Sequence, residues 1–152
     1  MAMINVEVQR TIRRSVAVVS RQFGDIQHHS INGVHPGIKF TVLSEAGDTC
    51  RFRQEVKLIG MLQVDEIVQH RNTDGSLSWD VVEGANKGTR INQSFAPAGP
   101  DSTTVTFRAE APATGIKRAL KPLFEFAIRK AVEKGLEEDR LDLEERGYGK
   151  TT

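Results

Sequence analysis

The chain has 152 residues, 38% of them hydrophobic and 27% charged, with a formal net charge of +1. That near-balance excludes a bulk electrostatic partner such as duplex nucleic acid, and the length suits one domain around one core. A single cysteine, Cys50, excludes an internal disulfide framework and fits a reducing compartment. Met1 to Arg10 carries no apolar leader, and no apolar run is long enough to span a bilayer. A soluble cytoplasmic protein is expected.

Ile4 to Gln9 alternates apolar and polar residues, the pattern of a half-buried strand. After Arg13-Arg14 the period changes. Ser15 can cap a helix in which Val16, Val19 and Phe23 share a face and which Gly24 ends. Asp25 can cap a second short helix carrying Ile26, His28 and His29. Asn32-Gly33 and Pro36-Gly37 mark the exit.

Strands follow. Ile38, Phe40 and Val42 alternate with polar residues, and Glu45 to Asp48 reads as a turn. Cys50, Phe52, Gln54, Val56 and Leu58 share one face of the next strand, with Arg51, Arg53, Glu55 and Lys57 on the other. Gly60 permits a bend into a strand whose expected inner set is Leu62, Val64, Glu66 and Val68. Leu77, Trp79 and Val81 follow, then Thr89, Ile91, Gln93 and Phe95, then Val105, Phe107 and Ala109, separated by turns.

From Ile116 the period becomes helical, through Leu120, Leu123, Phe124, Ala127, Ile128, Ala131 and Val132. Pro122 predicts either a kink or a helix start close by. The charged stretch from Leu136 to Arg146 is expected to fray, and 147–152 to be a disordered tail after a domain spanning 1–146.

This order resembles the START-like (SRPBCC) superfamily with its helix-grip fold, and within it the polyketide cyclase/dehydrase and lipid-transport-like group. The residues that carry the resemblance are Val6-Glu7-Val8 leading into Ser15-Val16, His35-Pro36-Gly37-Ile38-Lys39, and Leu120-Lys121-Pro122-Leu123. It implies an α+β fold, a curved antiparallel sheet of about seven strands wrapped around a long C-terminal helix, with two short helices after the first strand. It also implies a hydrophobic cavity between sheet and helix. The superfamily has no universal catalytic motif, so no catalytic residue transfers to this chain.

By parity, Gln54, Glu66 and Gln93 are expected to face that cavity with Phe52, Val64, Trp79, Ile91 and Phe95. Phe124, Ala127, Ile128 and Ala131 are expected to close it from the helix. An unpartnered buried amide or carboxylate costs roughly 2–7 kcal/mol, so such groups should fix the polar end of a ligand. A buried Glu66 would be the best candidate general acid or base. The expected function is binding of a largely apolar small molecule such as a lipid or polyketide. The alternatives are a cyclase/aromatase-type reaction in the same cavity, and delivery of a hydrophobic cofactor or co-chaperone action. No cofactor is implied. His28, His29 and His35 invite a zinc reading, but no cysteine or acidic residue close in sequence completes a set, so no metal is expected. Arg10, Arg13 and Arg14 read as a solvated basic turn.

Overall fold

The computed structural model describes residues 2–150. The alternating segments become β1 (Met3–Ile12), β2 (Ile38–Ala46), β3 (Thr49–Leu58), β4 (Met61–Arg71), β5 (Leu77–Gly84), β6 (Arg90–Gly99) and β7 (Ser102–Pro112). They form one antiparallel sheet in the order β1-β7-β6-β5-β4-β3-β2. Every neighbour except β1–β7 is a sequence neighbour. β1 and β2 therefore lie at opposite edges, and α1 (Val16–Gly24) and α2 (Ile26–Asn32) carry the chain between them. A one-turn α3 (Ile116–Ala119) precedes the long α4 (Lys121–Glu144). This is the expected helix-grip architecture.

Pro122 sits in the first turn of α4, where a missing N–H breaks no helical bond, so it starts the helix rather than kinking it. The basic residues at the end of β1 and just after it are not a free turn. Arg13 pairs with Glu144 at 3.0 Å, Arg10 pairs with Glu137, and Arg14 donates to the Leu143 carbonyl at 2.6 Å. They fasten α4 to the end of β1. Gly147 to Lys150 folds back instead of trailing away. Tyr148 donates from its hydroxyl to Asp25 Oδ2 at 2.7 Å and meets the His28 ring edge-on at 4.6 Å. Burial, then the Asp25 contact, pushes its hydroxyl up to about 12. Thr151 and Thr152, the rest of the expected tail, lie outside the described residues.

One strand faces the opposite way from its expected parity. β3 and β4 join through the two residues Ile59 and Gly60, at φ 53° and 70°, the left-handed pair of a tight hairpin. That turn pairs Leu58 with Met61, Val56 with Gln63, Gln54 with Asp65 and Phe52 with Ile67. Directly paired residues share a face, so the inner set of β4 is Gln63, Asp65, Ile67 and Gln69. Leu62 and Val64 are 58% and 38% exposed on the outside. Glu66 also lies outside, accepting from Arg51 Nε at 3.2 Å. A slip of one residue inverts a whole strand.

The core divides in three. Ile12, Val19, Phe23, Leu77, Val105, Leu136 and Leu143 pack under α1 and the end of α4. Phe40, Phe52, Ile67, Trp79 and Val81 line the middle of the sheet with Cys50, whose thiol is pushed up to about 12 by burial and then by Glu45. Ile4, Val6, Ala113 and Phe124 pack under the start of α4. Among the described residues, no helix is long and apolar enough to cross a membrane.

Candidate functional site

Between the concave sheet and α4 the three clusters leave a cavity of about 220 Å³. Its apolar wall is built from Ile4, Val6, Ile67, Trp79, Val81 and Ile128. An apolar cavity of about 150 Å³ holds a benzene ring. This one suits a ring or two with substituents, not a two-chain lipid. Gln54, Trp79, Ile91, Gln93, Ile128 and Ala131 line it. The other expected lining residues lie elsewhere. Phe52 is fully buried behind, its ring 5.1 Å from that of Trp79 and 5.9 Å from that of Phe40. Phe95 packs edge-on against Phe23 at 5.4 Å, and Phe124 packs with Ile4 and Val6. Ala127 is half-buried on α4, away from the lining. Val64 and Glu66 point outward, so Glu66 has no position from which to move a proton in the cavity.

One polar wall was not expected. Asp65, 3% exposed, takes the Asn86 backbone N–H on Oδ1 and the Asn86 amide on Oδ2, each at 2.7 Å. Asn86 also donates to Gln63 and accepts from Lys117 Nζ at 2.8 Å. The amide thus relays the lysine's charge to a carboxylate that would otherwise be isolated. The length of the Ile59-Gly60 turn was the signal for this wall.

A second polar wall joins α2, the loop after it and α4. His29, His35 and Asp139, each under 8% exposed, all reach the cavity. His29 Nε2 lies 2.9 Å and His35 Nε2 3.4 Å from Asp139 Oδ1. The far nitrogens are also held: His29 Nδ1 is 2.8 Å from the Asp25 carbonyl and His35 Nδ1 3.0 Å from Glu138 Oε1. Gln22 donates to Asp139 and Asp142 at 3.1 and 2.9 Å, and His28 Nε2 is 2.7 Å from Asp142. Gly135 faces the His35 ring, where a Cβ would make ordinary van der Waals contact with His35 Cε1 at 3.8 Å. Among the described residues, His29, His35 and Asp139 are the group that could hold a metal. Asp139 continues the helical stripe of Val132, Leu136 and Leu143, where an apolar residue belongs. That misplaced carboxylate was the available signal.

Burial pulls the His35 pKa down, but Asp139 and Glu138 outweigh it and the net shift is upward from 6.5. Burial likewise pushes Asp139 up, and His35 and His29 bring it well below the ordinary 3.8. A raised histidine stabilises the fold fully below about 6.5 and loses that contribution as pH rises through its folded value. A lowered aspartate stabilises above about 3.9 and loses it as pH falls through its folded value. The cluster therefore stabilises best between about 4 and 6.5. With EDTA present, the thermal midpoint should fall between about pH 6 and pH 9, and His35→Gln should flatten that slope. An equally steep slope in the variant would place its cause outside His35.

The sequence pattern of the polyketide cyclase / dehydrase and lipid transport family matches residues 3–141. Among curated proteins, none matches. A Thermus thermophilus protein superposes with a TM-score of 0.85 at 16% identity, covering 94% of this chain and 99% of that one. The Zhui aromatase/cyclase from a Streptomyces species gives 0.78 at 13%, over 96% and 99%. Norcoclaurine synthase from Thalictrum flavum, solved in complex with dopamine and hydroxybenzaldehyde, gives 0.69 at 12%, over 98% and 90%. At such identities the likeness is one of fold, and it is the family pattern, running through nearly every element described above, that shows the chain to belong to the polyketide cyclase / dehydrase and lipid transport family of the START-like (SRPBCC) superfamily.

Proposed function

We propose that this chain binds a small, largely apolar molecule of one or two rings that carries a hydrogen-bond acceptor. The observation that carries the reading is Gln93. It is 3% exposed, lines the cavity, and its Nε2 has no partner within the protein. A buried donor left unpaired costs about 1–3 kcal/mol, which an acceptor on a bound molecule would relieve. Burying an aromatic group of about 150–250 Å² contributes ~4–6 kcal/mol at 25 cal/mol per Å², millimolar to tens of micromolar affinity. One hydrogen bond of about 1 kcal/mol then improves affinity several-fold.

Native mass spectrometry of the purified protein tests whether a molecule of this kind is carried along. Two aromatic probes, naphthalene and 1-naphthaldehyde, test Gln93. Gln93→Leu should weaken the aldehyde by about 2–10-fold, leave naphthalene unchanged, and leave the fold as stable or more so. Ala131→Phe, at the exposed edge of the lining, should weaken both. Equal affinities in parent and both variants would overturn the reading.

A second reading, an aromatase/cyclase-type reaction, is favoured by His29, His35 and Asp139 standing in the same cavity wall. His35 would be its proton-transfer group. Loss of water from a poly-β-ketone thioester, abolished in His35→Gln, is the expected result.

A further inference from the structure

We propose that His29, His35 and Asp139 form a binding site for one divalent first-row transition ion, Zn²⁺ or Fe²⁺ in chemical class, on the cavity wall. His29 Nδ1 faces the Asp25 carbonyl and His35 Nδ1 faces the Glu138 carboxylate, and both are acceptors. Both Nε2 atoms face Asp139 Oδ1, again an acceptor. A neutral imidazole carries one N–H, and with it on Nδ1 the Asp25 and Glu138 contacts are satisfied. Each ring then presents an Nε2 lone pair to a carboxylate. Two added protons would satisfy the cluster, and so would one ion of charge +2 placed among the two Nε2 atoms and Asp139.

The surroundings are those a metal site needs. A ligating histidine holds its other nitrogen on a carbonyl or carboxylate, which fixes the tautomer and aims the lone pair. Both rings are held so. Gln22 grips Asp139, and its own Oε1, fully buried, is unpartnered. Among the described residues, no lysine or arginine pairs with Asp139 or Glu138. Ligand bonds of about 2.0–2.1 Å in a tetrahedron separate ligand atoms by ~3.3 Å. The separations of 2.9 and 3.4 Å need adjustments of a few tenths of an ångström at these contacts. Two histidines and one carboxylate are a ligand set for zinc or non-haem iron, and three protein ligands leave a position for water or a ligand oxygen. The absence of an acidic partner close in sequence argued against a metal; the fold brings Asp139 from 104 and 110 positions away in sequence to supply it.

The inference stands apart from the small-molecule reading, and its test uses no organic ligand. EDTA-stripped protein is titrated with Zn²⁺ alone while NMR follows the histidine rings. One equivalent should move the His29 and His35 Nε2 signals together and leave His70, exposed on β4, unmoved. Glu138→Ala, which acts only through His35, should weaken Zn²⁺ by about 10–100-fold without loss of fold. The double variant His29→Gln/His35→Gln should lose the site; should it fail to fold, the parent spectra and Glu138→Ala decide. Unmoved His29 and His35 signals at millimolar Zn²⁺, or His70 moving equally, or full-strength binding by a folded double variant, would overturn the proposal.

Discussion

Asp139→Ala should lower folding stability by about 3–5 kcal/mol in EDTA, the range for removing one partner from a buried charged pair. Three nitrogens converge on this side chain: Gln22 Nε2, His29 Nε2 and His35 Nε2. Gln22 keeps Asp142 as a second acceptor. The two imidazoles keep nothing at Nε2 and are too buried for water to replace what they lose. Part of the loss is therefore the desolvation of orphaned groups rather than the worth of the bonds. Asp139→Asn, which keeps the shape and one acceptor, should lose distinctly less. Urea unfolding with an unchanged m-value measures both. A loss under about 1 kcal/mol for the alanine variant would mean that the cluster is hydrated in solution.

Gly84→Ala should cost about 2–4 kcal/mol and disturb the cavity from the opposite side. Gly84 ends β5 at φ 115°, where L side chains are strained. A Cβ there would stand 2.2 Å from the Val64 carbonyl oxygen and 2.7 Å from Asp65 Cα, both backbone atoms with little room to yield. Gly84 pairs with Asp65 next to the register shift between Glu66 and Ile67. Yielding would break the Ala85 N–H bond to Val64 and pull Asp65 from Asn86. Besides the fall in midpoint, the backbone amide of Asn86 should lose protection from hydrogen exchange. Near-parental stability with Asn86 still protected would show that the strand end shifts freely.

Most of the frame was legible because periodicity is a local property. The inner sets of β3, β5, β6 and β7, the paired short helices and the start of α4 at Pro122 follow from residues within a few positions of one another. β4 was misread because its parity depends on the preceding turn. Leu62, Val64 and Val68 alternate well, yet the two-residue link through Ile59 and Gly60 puts Gln63, Asp65 and Gln69 inside. Hydrophobicity suggested one face and pairing geometry enforced the other; the exposed Leu62 and Val64 record the conflict. Half of the expected lining proved to be core or outer surface, since parity distinguishes in from out but not wall from filling. Phe52 and Phe95 show this, being inward and yet away from the cavity. The histidine cluster was visible only as three histidines. Its carboxylates come from a stretch of α4 whose charge looked like a solvated end, and no short-range pattern joins Glu138 and Asp139 to His35.

The sheet order also bears on how the chain acquires its structure in time. Among the described residues, β1 finds its only strand partner in β7, Ile4 opposite Ala111, and Gln22 meets Asp142 across 120 positions. The meander from β2 to β7 closes through local hairpins, whereas joining the two ends requires a long loop to form first. The histidine wall is thus expected to assemble after the sheet is largely in place, outside the folding nucleus. Lesions there should quicken unfolding and leave the folding rate almost untouched, with φ-values near zero. On that outcome the wall would govern how long the folded protein lasts, and the hairpins how soon it forms.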